Sequence, residues 1–184
     1  ALVFPERIRP DAEKLFNTLK TEGPTLGVPV GMPVLKILPS DTESNYVDAC
    51  REAVKQNNVQ MLVAVVPNDN SQRYDAIKKT CFLECPVPCQ VVQLATIKRE
   101  NIFRSLCQKI VNQVNCKMGG ALWQVKMPMK RIMIVGYDSY TDSSMKGKAV
   151  GAAVFSLNDT LTKWFSQSKL YQDATTESQN IATF

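Results

Sequence analysis

The hydrophobic pattern of the first 126 residues alternates between short apolar runs and longer amphipathic stretches. Apolar runs at residues 34–38, 61–66 and 90–95 predict β-strands, and the middle run resembles a central strand that is buried on both faces. Apolar residues that recur every three to four positions predict helices at residues 10–21, after a capping box at 40–43, around Tyr74 and Lys78, and at 98–113. Strands that alternate with helices are typical of an open parallel sheet, so the predicted fold class is α/β.

The pattern changes after Gly119 and Gly120. Apolar stretches at residues 122–125, 131–138, 148–157 and 163–170 follow one another with short connections. Consecutive strands joined by short loops favour antiparallel pairing. We therefore predict a domain boundary near Lys126 and a second, antiparallel domain after it.

Composition limits the classes of function that the chain can have. The chain has 184 residues, 45% of them apolar, and no apolar run long enough to span a bilayer, so we expect a folded core and no membrane partner. It begins with Ala1 and carries no signal-peptide pattern, so we expect an excised piece of a longer protein.

The chain contains no His, which excludes Ser-His or Cys-His nucleophile pairs and His-ligated metals within these residues. The net charge of +5 is compatible with an anionic partner and with ordinary surface charge.

Six cysteines leave two interpretations open. Cys81, Cys85 and Cys89 are spaced by four residues, which would suit thiolate ligands on a helix, but Pro86 and Pro88 interrupt that helix. The alternative is reduced structural cysteines, and we favour it because the spacing is not that of a zinc site. Reduced thiols indicate a cytosolic or nuclear protein.

The stretch from Tyr74 to Lys117 predicts an anion site. Tyr74 and Lys78 share one helix face, and the pattern puts them in the first turns of a helix, after the carboxyl end of the strand at 61–66. Lys117 adds charge, and Gln90 and Gln113 offer amide donors or carbonyl oxygens for a hard cation. Each residue alone is more often an ordinary surface residue, and the convergence of five supports a phosphate site. Asp138 is a second candidate, either as a Mg²⁺ ligand at the end of a strand or as the start of a turn.

These residues resemble a known motif. Tyr74-x-x-x-Lys78, then Gln90, then the run from Gln113 to Gly120 resemble the guide 5′-end motif of the MID domain of Argonaute proteins. Gln113 resembles the PIWI clade, because the Argonaute-proper branch tends to carry Lys there. Residues 1–126 resemble a Rossmann-like MID domain that lacks its first strand. Residues 127–184 resemble the truncated, N-terminal part of a PIWI domain, which has an RNase H-like fold.

The resemblance implies a function for each site residue. Tyr74, Lys78, Gln90, Gln113 and Lys117 would hold the 5′-phosphate of a small guide RNA, a piRNA, and Tyr74 would stack on the first base. Mg²⁺ would help to neutralise the phosphates beside Gln113, which lacks the charge of a lysine. A loop bordering the first base, with uridine typical of the clade, would consist of Asn68, Asp69, Asn70, Ser71, Gln72 and Arg73.

The resemblance also implies an enzyme beyond this chain. Asp138 matches the first acid of a catalytic tetrad that binds Mg²⁺, and Glu177 falls where its mobile glutamate would lie. The parent would be an RNA-guided endoribonuclease that cleaves target RNA in gene silencing, in germ granules of the cytoplasm or in the nucleus. The fragment itself would be a monomer and inactive. A third hypothesis, a mononucleotide-binding α/β domain, lacks the glycine-rich phosphate loop that such domains use.

Overall fold

The computed structural model describes residues 1–56, 59–129, 131–141 and 148–171. The chain divides into two compact units, Ala1–Leu122 and Trp123–Phe184. The sequence predicts a boundary near Lys126, and the division falls four residues earlier. The interpretation of the two parts as MID and PIWI domains stays a prediction.

A four-stranded parallel sheet forms the centre of the first unit. Its strands are β1 (Leu2–Pro5), β2 (Leu35–Leu38), β3 (Leu62–Val66) and β4 (Cys89–Gln93), and their spatial order is β2-β1-β3-β4. All neighbouring strands are parallel, and Leu62 lies opposite Cys89 in the pairing of β3 with β4. The predicted open parallel sheet of the α/β class is therefore confirmed.

Helices cover both faces of this sheet, because successive side chains of a strand point to opposite faces. Leu2 and Phe4 of β1 join one core, and Val3 joins the other. The first core is closed by α1 (Arg9–Thr25), α4 (Leu94–Ile97) and α5 (Phe103–Lys117). The second core is closed by α2 (Glu43–Gln56) and α3 (Ser71–Lys79).

At the start of the first unit, β1 and α1 differ from the sequence prediction. The sequence pattern gives no signal for a strand before residue 10, yet all four residues of β1 pair with β2, and Leu2 and Val3 also pair with β3. The sequence predicts a first helix at residues 10–21, but α1 continues to Thr25. Gly23 suits this end of the helix, since a Cβ there would collide with the Val28 carbonyl oxygen. The chain leaves the helix at Gly27, whose φ is +74°.

The second unit contains an antiparallel sheet in the order β5-β6-β7. The strands are β5 (Val135–Thr141), β6 (Ala149–Ser156) and β7 (Trp164–Tyr171), so the predicted antiparallel start is confirmed. Residues 122–125 form no strand, and the side chains of Trp123 and Val125 there are exposed. Among the described residues, no helix has the length and apolar character that a bilayer crossing requires.

Candidate functional site

Helix α3 places Tyr74 and Lys78 one turn apart. The helix begins at Ser71, because Asn70 is its N-cap and accepts a hydrogen bond from the Arg73 backbone N–H at 2.9 Å. Tyr74 is the fourth residue of the helix, whereas Lys78 lies in its last turn. The expectation that both residues lie in the first turns is therefore wrong for Lys78. The free N–H groups at the start of α3 are at the opposite end of the helix from the Lys78 backbone.

Two lysine ammonium groups converge on one backbone oxygen. Lys78 Nζ donates to the carbonyl oxygen of Cys89 at 3.1 Å, and Lys117 Nζ donates to the same oxygen at 2.8 Å. Lys117 also donates to Gln90 Oε1 at 2.6 Å. Side chains from α3, β4 and α5 thus meet at one point, and we call Lys78, Lys117 and Gln90 the lysine pocket.

A glycine motif places Lys117 at the end of α5. Gly119 has a φ of +87°, a left-handed conformation that disfavours other residues. Its N–H donates to the Cys116 carbonyl at 3.1 Å, and the Gly120 N–H donates to the Asn115 carbonyl at 2.9 Å. These two bonds are the Schellman pattern that terminates a helix. The two glycines of the motif therefore define where α5 ends and which side chain occupies its last position.

The convergence of two positive charges has an electrostatic cost. Both Nζ atoms bond the same oxygen, so they lie at most about 6 Å apart, where unit charges repel by roughly 1–3 kcal/mol at effective dielectric constants of about 80 to 20. The pKa of Lys117 is lowered, first by partial burial and then by the charge of Lys78. A phosphate dianion between the two groups would remove this repulsion.

Tyr74 and Gln113 lie beside the pocket. The Tyr74 side chain is exposed, and its ring centroid is 5.5 Å from Lys78 Nζ, so one aromatic surface is accessible to a ligand next to the lysines. Gln113 is exposed on α5, one helical turn before Lys117. Four of the five predicted phosphate residues are thus connected through contacts, and Gln113 is connected through its helix. Their role in binding stays a prediction.

The pocket is at the amino end of the sheet. Cys89 is the first residue of β4 and pairs with Leu62, the first residue of β3, whereas the sequence predicts a site at the carboxyl ends. The difference arises because α3 runs back along the sheet and carries Lys78 away from the end of β3. Tyr74 lies about one turn, roughly 5–6 Å, from Lys78 and from the N-cap Asn70, so a base stacked on its ring would remain near both.

The loop predicted to border the first base is anchored by its last residue. Arg73 is 96% buried, and its guanidinium donates to the backbone and side-chain oxygens of Asn68 and of Asp41. Asp41 also pairs with Arg7 at 2.7 Å, and the Arg73 guanidinium lies over the ring of Tyr46. The buried Arg73 side chain therefore anchors this loop, and the role of the loop beside a first base stays a prediction. Ser71, Gln72 and Arg73 belong to the first turn of α3.

Buried thiols lie behind the pocket. The six cysteines are free, and Cys50, Cys81 and Cys89 are buried in one core. A thiol hydrogen bond with Cys50 contributes most to raising the pKa of Cys81 to about 12, and the hydrogen bond with Cys81 together with burial raises the pKa of Cys89. In the described part of the chain, no three His, Cys, Asp or Glu side chains are grouped as metal ligands. These thiols support the strand whose first carbonyl binds the lysines.

Asp138 lies in the middle of β5, not at its end as the sequence predicts. It pairs with Ala152 of β6, its side chain is exposed, and its Oδ1 accepts the Ser139 N–H at 2.8 Å. An exposed carboxylate on a strand is accessible to a cation. Glu177, the second predicted catalytic acid, lies outside the described residues.

Sequence reasoning missed two contributors to these sites. Asp41 is distant in sequence from the loop that it anchors, and an isolated aspartate carries no recognisable signal. Phe82 lies four residues after Lys78, and its ring centroid is 5.5 Å from Lys78 Nζ. That spacing is visible in the sequence, because it repeats the interval between Tyr74 and Lys78.

Comparisons with known proteins give a consistent family. The family model "Piwi domain" matches residues 61–183, a range that crosses the division between the two units. Protein argonaute-3 of Drosophila melanogaster is 40% identical over 91% of this chain, and Piwi-like protein 1 of Danio rerio is 36% identical over 92%. The chain spans only 19% and 20% of these two relatives.

Solved structures agree with the sequence relatives. The crystal structure of Drosophila Piwi superposes on all of this chain with a TM-score of 0.88 at 29% identity, and the matched part is 25% of that protein. The Argonaute of Kluyveromyces polysporus with a guide RNA covers 96% of this chain, with 24% of its own length matched and a TM-score of 0.78. At 15% identity the latter shows the fold alone. With its matched family model and its relatives, the chain belongs to the Piwi family of Argonaute proteins.

Proposed function

We propose that this chain anchors the 5′-phosphate and first nucleotide of a small guide RNA, a piRNA, in the lysine pocket. The observation that carries the proposal is the convergence of Lys78 and Lys117 on the Cys89 carbonyl, one helical turn from the exposed ring of Tyr74. Two ammonium groups match the charge of a phosphate monoester, which is about −1.5 to −2 near neutral pH. The neighbouring ring provides a stacking surface for a base.

Each member of the pocket has a defined role in this proposal. Lys78 and Lys117 bind the phosphate oxygens through charge-assisted hydrogen bonds. Gln90 holds Lys117 through its Oε1 and fixes the direction of that ammonium group. Tyr74 stacks on the first base, for which we propose uridine, beside the loop that Arg73 anchors.

The side chains also allow a supporting Mg²⁺ ion. Gln113 is exposed one turn from Lys117 and offers an amide oxygen, a ligand type that Mg²⁺ accepts. A single amide oxygen is a weak site, so phosphates and water would have to supply the other ligands. We therefore expect the ion to bind only together with the RNA, where it would add positive charge at the phosphates.

The test is a titration of the chain with 5′-phosphorylated and 5′-hydroxyl forms of one RNA. We expect the phosphate to tighten binding roughly 10- to 100-fold, to require Lys117, and to lose its effect with rising salt. Lys117→Met should remove most of the difference, whereas Lys79→Met, an exposed lysine next to Lys78 on α3, should not. Equal affinity for the two RNAs would refute the proposal. Repeating the titration of both RNAs in the presence of a chelator tests whether binding requires Mg²⁺.

The second candidate function is catalytic and belongs to a longer protein. The exposed carboxylate of Asp138 in the middle of a strand favours it. In the full-length protein, Asp138→Asn should abolish cleavage of a target RNA while a guide RNA still binds. Target cleavage that survives this substitution would exclude Asp138 as a Mg²⁺ ligand. The 184-residue chain alone is expected to be inactive.

A further inference from the structure

Phe82 is an exposed aromatic residue whose position the proposed function leaves unexplained. It lies in a π-helical turn, Thr80–Glu84, that directly follows α3. Thr80 and Cys81 are buried in this turn, whereas 63% of Phe82 and 74% of Leu83 remain exposed. A large apolar side chain gains little stability from such exposure, and π-helical turns occur frequently at functional sites.

The ring of Phe82 contacts the lysine pocket. Lys78 Nζ lies 5.5 Å from the centroid of Phe82 and also 5.5 Å from the centroid of Tyr74. The ammonium group is thus near two aromatic rings while it donates to the Cys89 carbonyl. Both distances are within the range of a cation–π contact, in which the negative face of a ring attracts the cation.

Two rings restrict Lys78 more than one ring can. A lysine has four side-chain torsions, and a free ammonium group would sample many positions at a surface. Tyr74 is also the ring that a base would cover in the proposed function. Phe82 is one turn beyond Lys78, on the side away from Tyr74, so its contact with the ammonium group does not depend on the base.

We propose that Phe82 is a positioning residue for phosphate recognition, because its ring holds the Lys78 ammonium group at the point where the 5′-phosphate binds. This inference rests on the proposed function of the lysine pocket. Phe82 itself touches neither the phosphate nor the base. Phe82 should therefore increase the affinity only for RNA that carries a 5′-phosphate, and only when the protein carries Lys78.

The experiment measures the affinity of the chain for one RNA with a 5′-phosphate or a 5′-hydroxyl group. Phe82→Leu keeps an apolar side chain without an aromatic ring, and Phe82→Tyr keeps the ring. Leu83→Ala is the matched control, since Leu83 is an exposed apolar residue of the same turn. The Phe82→Leu substitution is also made in a Lys78→Met background. Circular dichroism of each variant checks that it is folded.

Phe82→Leu should weaken binding of the 5′-phosphate RNA roughly two- to fivefold, the range for an exposed cation–π contact. Phe82→Tyr and Leu83→Ala should bind as the parent does, and Phe82→Leu should have no further effect in the Lys78→Met background. An equal loss with 5′-hydroxyl RNA, or a loss that persists without Lys78, would overturn the inference. If Lys78→Met alone leaves 5′-phosphate binding unchanged, the proposed function itself fails. If Lys78→Met weakens binding and Phe82→Leu does not, only the role of Phe82 is refuted.

Discussion

Replacing Lys78 by methionine distinguishes a binding pocket from a structural clamp. Lys78 and Lys117 both donate to the Cys89 carbonyl oxygen, so both would merely satisfy that carbonyl if the site bound no ligand. A structural clamp loses stability when one lysine is removed. A pocket built for an anion loses affinity instead, because its charges repel each other until the anion arrives.

The expected change in stability is small. Lys78→Met removes a repulsion of roughly 1–3 kcal/mol, which favours the variant. It also removes one hydrogen bond to a carbonyl that Lys117 still satisfies, roughly 1 kcal/mol, and two exposed cation–π contacts of roughly 0.5–1 kcal/mol each. These contributions nearly cancel, so the free energy of unfolding should change by less than about 1 kcal/mol. The pKa of Lys117 should rise, because one cause of its depression is removed.

The expected change in binding is large. A charge-assisted hydrogen bond to phosphate contributes at least about 1.5 kcal/mol, so affinity for a 5′-phosphate RNA should fall roughly tenfold or more, up to the whole effect of the phosphate. Urea unfolding followed at 222 nm reports on the first unit, since all helices of the described residues lie there. Lys79→Met serves as the control for loss of charge on α3. A destabilisation above about 2 kcal/mol together with unchanged RNA affinity would refute the anion pocket and identify a structural clamp.

Three further predictions concern the residues around the pocket. Asp41→Asn removes the carboxylate that pairs with the buried Arg73, so urea unfolding should show a loss of about 1–3 kcal/mol, and the preference among 5′ nucleotides should weaken in competition titrations. Gly119→Ala should lower the free energy of unfolding by about 1–2 kcal/mol and weaken phosphate binding, because the φ of Gly119 is positive. Gly31 also has no atom near its missing Cβ but lacks a positive φ, so Gly31→Ala should lower the free energy of unfolding less in the same assay. The pKa of Cys81 is raised from 9.0 to about 12, so the folded state binds the thiol proton more tightly than the unfolded state does. The stability that this difference contributes is complete below about pH 9 and is lost as the pH rises toward 12. In unfolding measurements, Cys81→Ala should therefore flatten the decline of stability between about pH 9 and pH 12.

The sequence predicts those parts of the fold whose signal is local. Strand β3 is recognisable because five apolar residues precede a proline, and α5 because one stripe of apolar residues repeats at helical spacing. Strand β1 is not recognisable, since four residues that end in Pro5 have no period of their own and become a strand only by pairing on both sides. The extension of α1 past Gly23 likewise depends on the packing of Val28 against it.

The residues of the pocket were predictable, whereas its position was not. The spacing of Tyr74 and Lys78 and the glycines after Lys117 identify the set of side chains. The end of the sheet at which they meet depends on how far α3 runs back along the sheet, and no residue marks that length. The burial of Arg73 could not be predicted from the sequence either, because it depends on Asp41, 32 residues earlier in the chain.

The two ends of α3 make different electrostatic contacts. At its start, Arg73 ties the loop after β3 to Asp41 and thereby to Arg7, so three segments that follow strands are held together by charge pairs. At its other end, Lys78 faces Lys117 across the Cys89 carbonyl, and like charges are held together. The first arrangement is stable without a ligand, while the second gains most when an anion is present. A nucleotide that stacks on Tyr74 would lie between them, so the rigid end can limit which base fits while the charged end supplies the affinity.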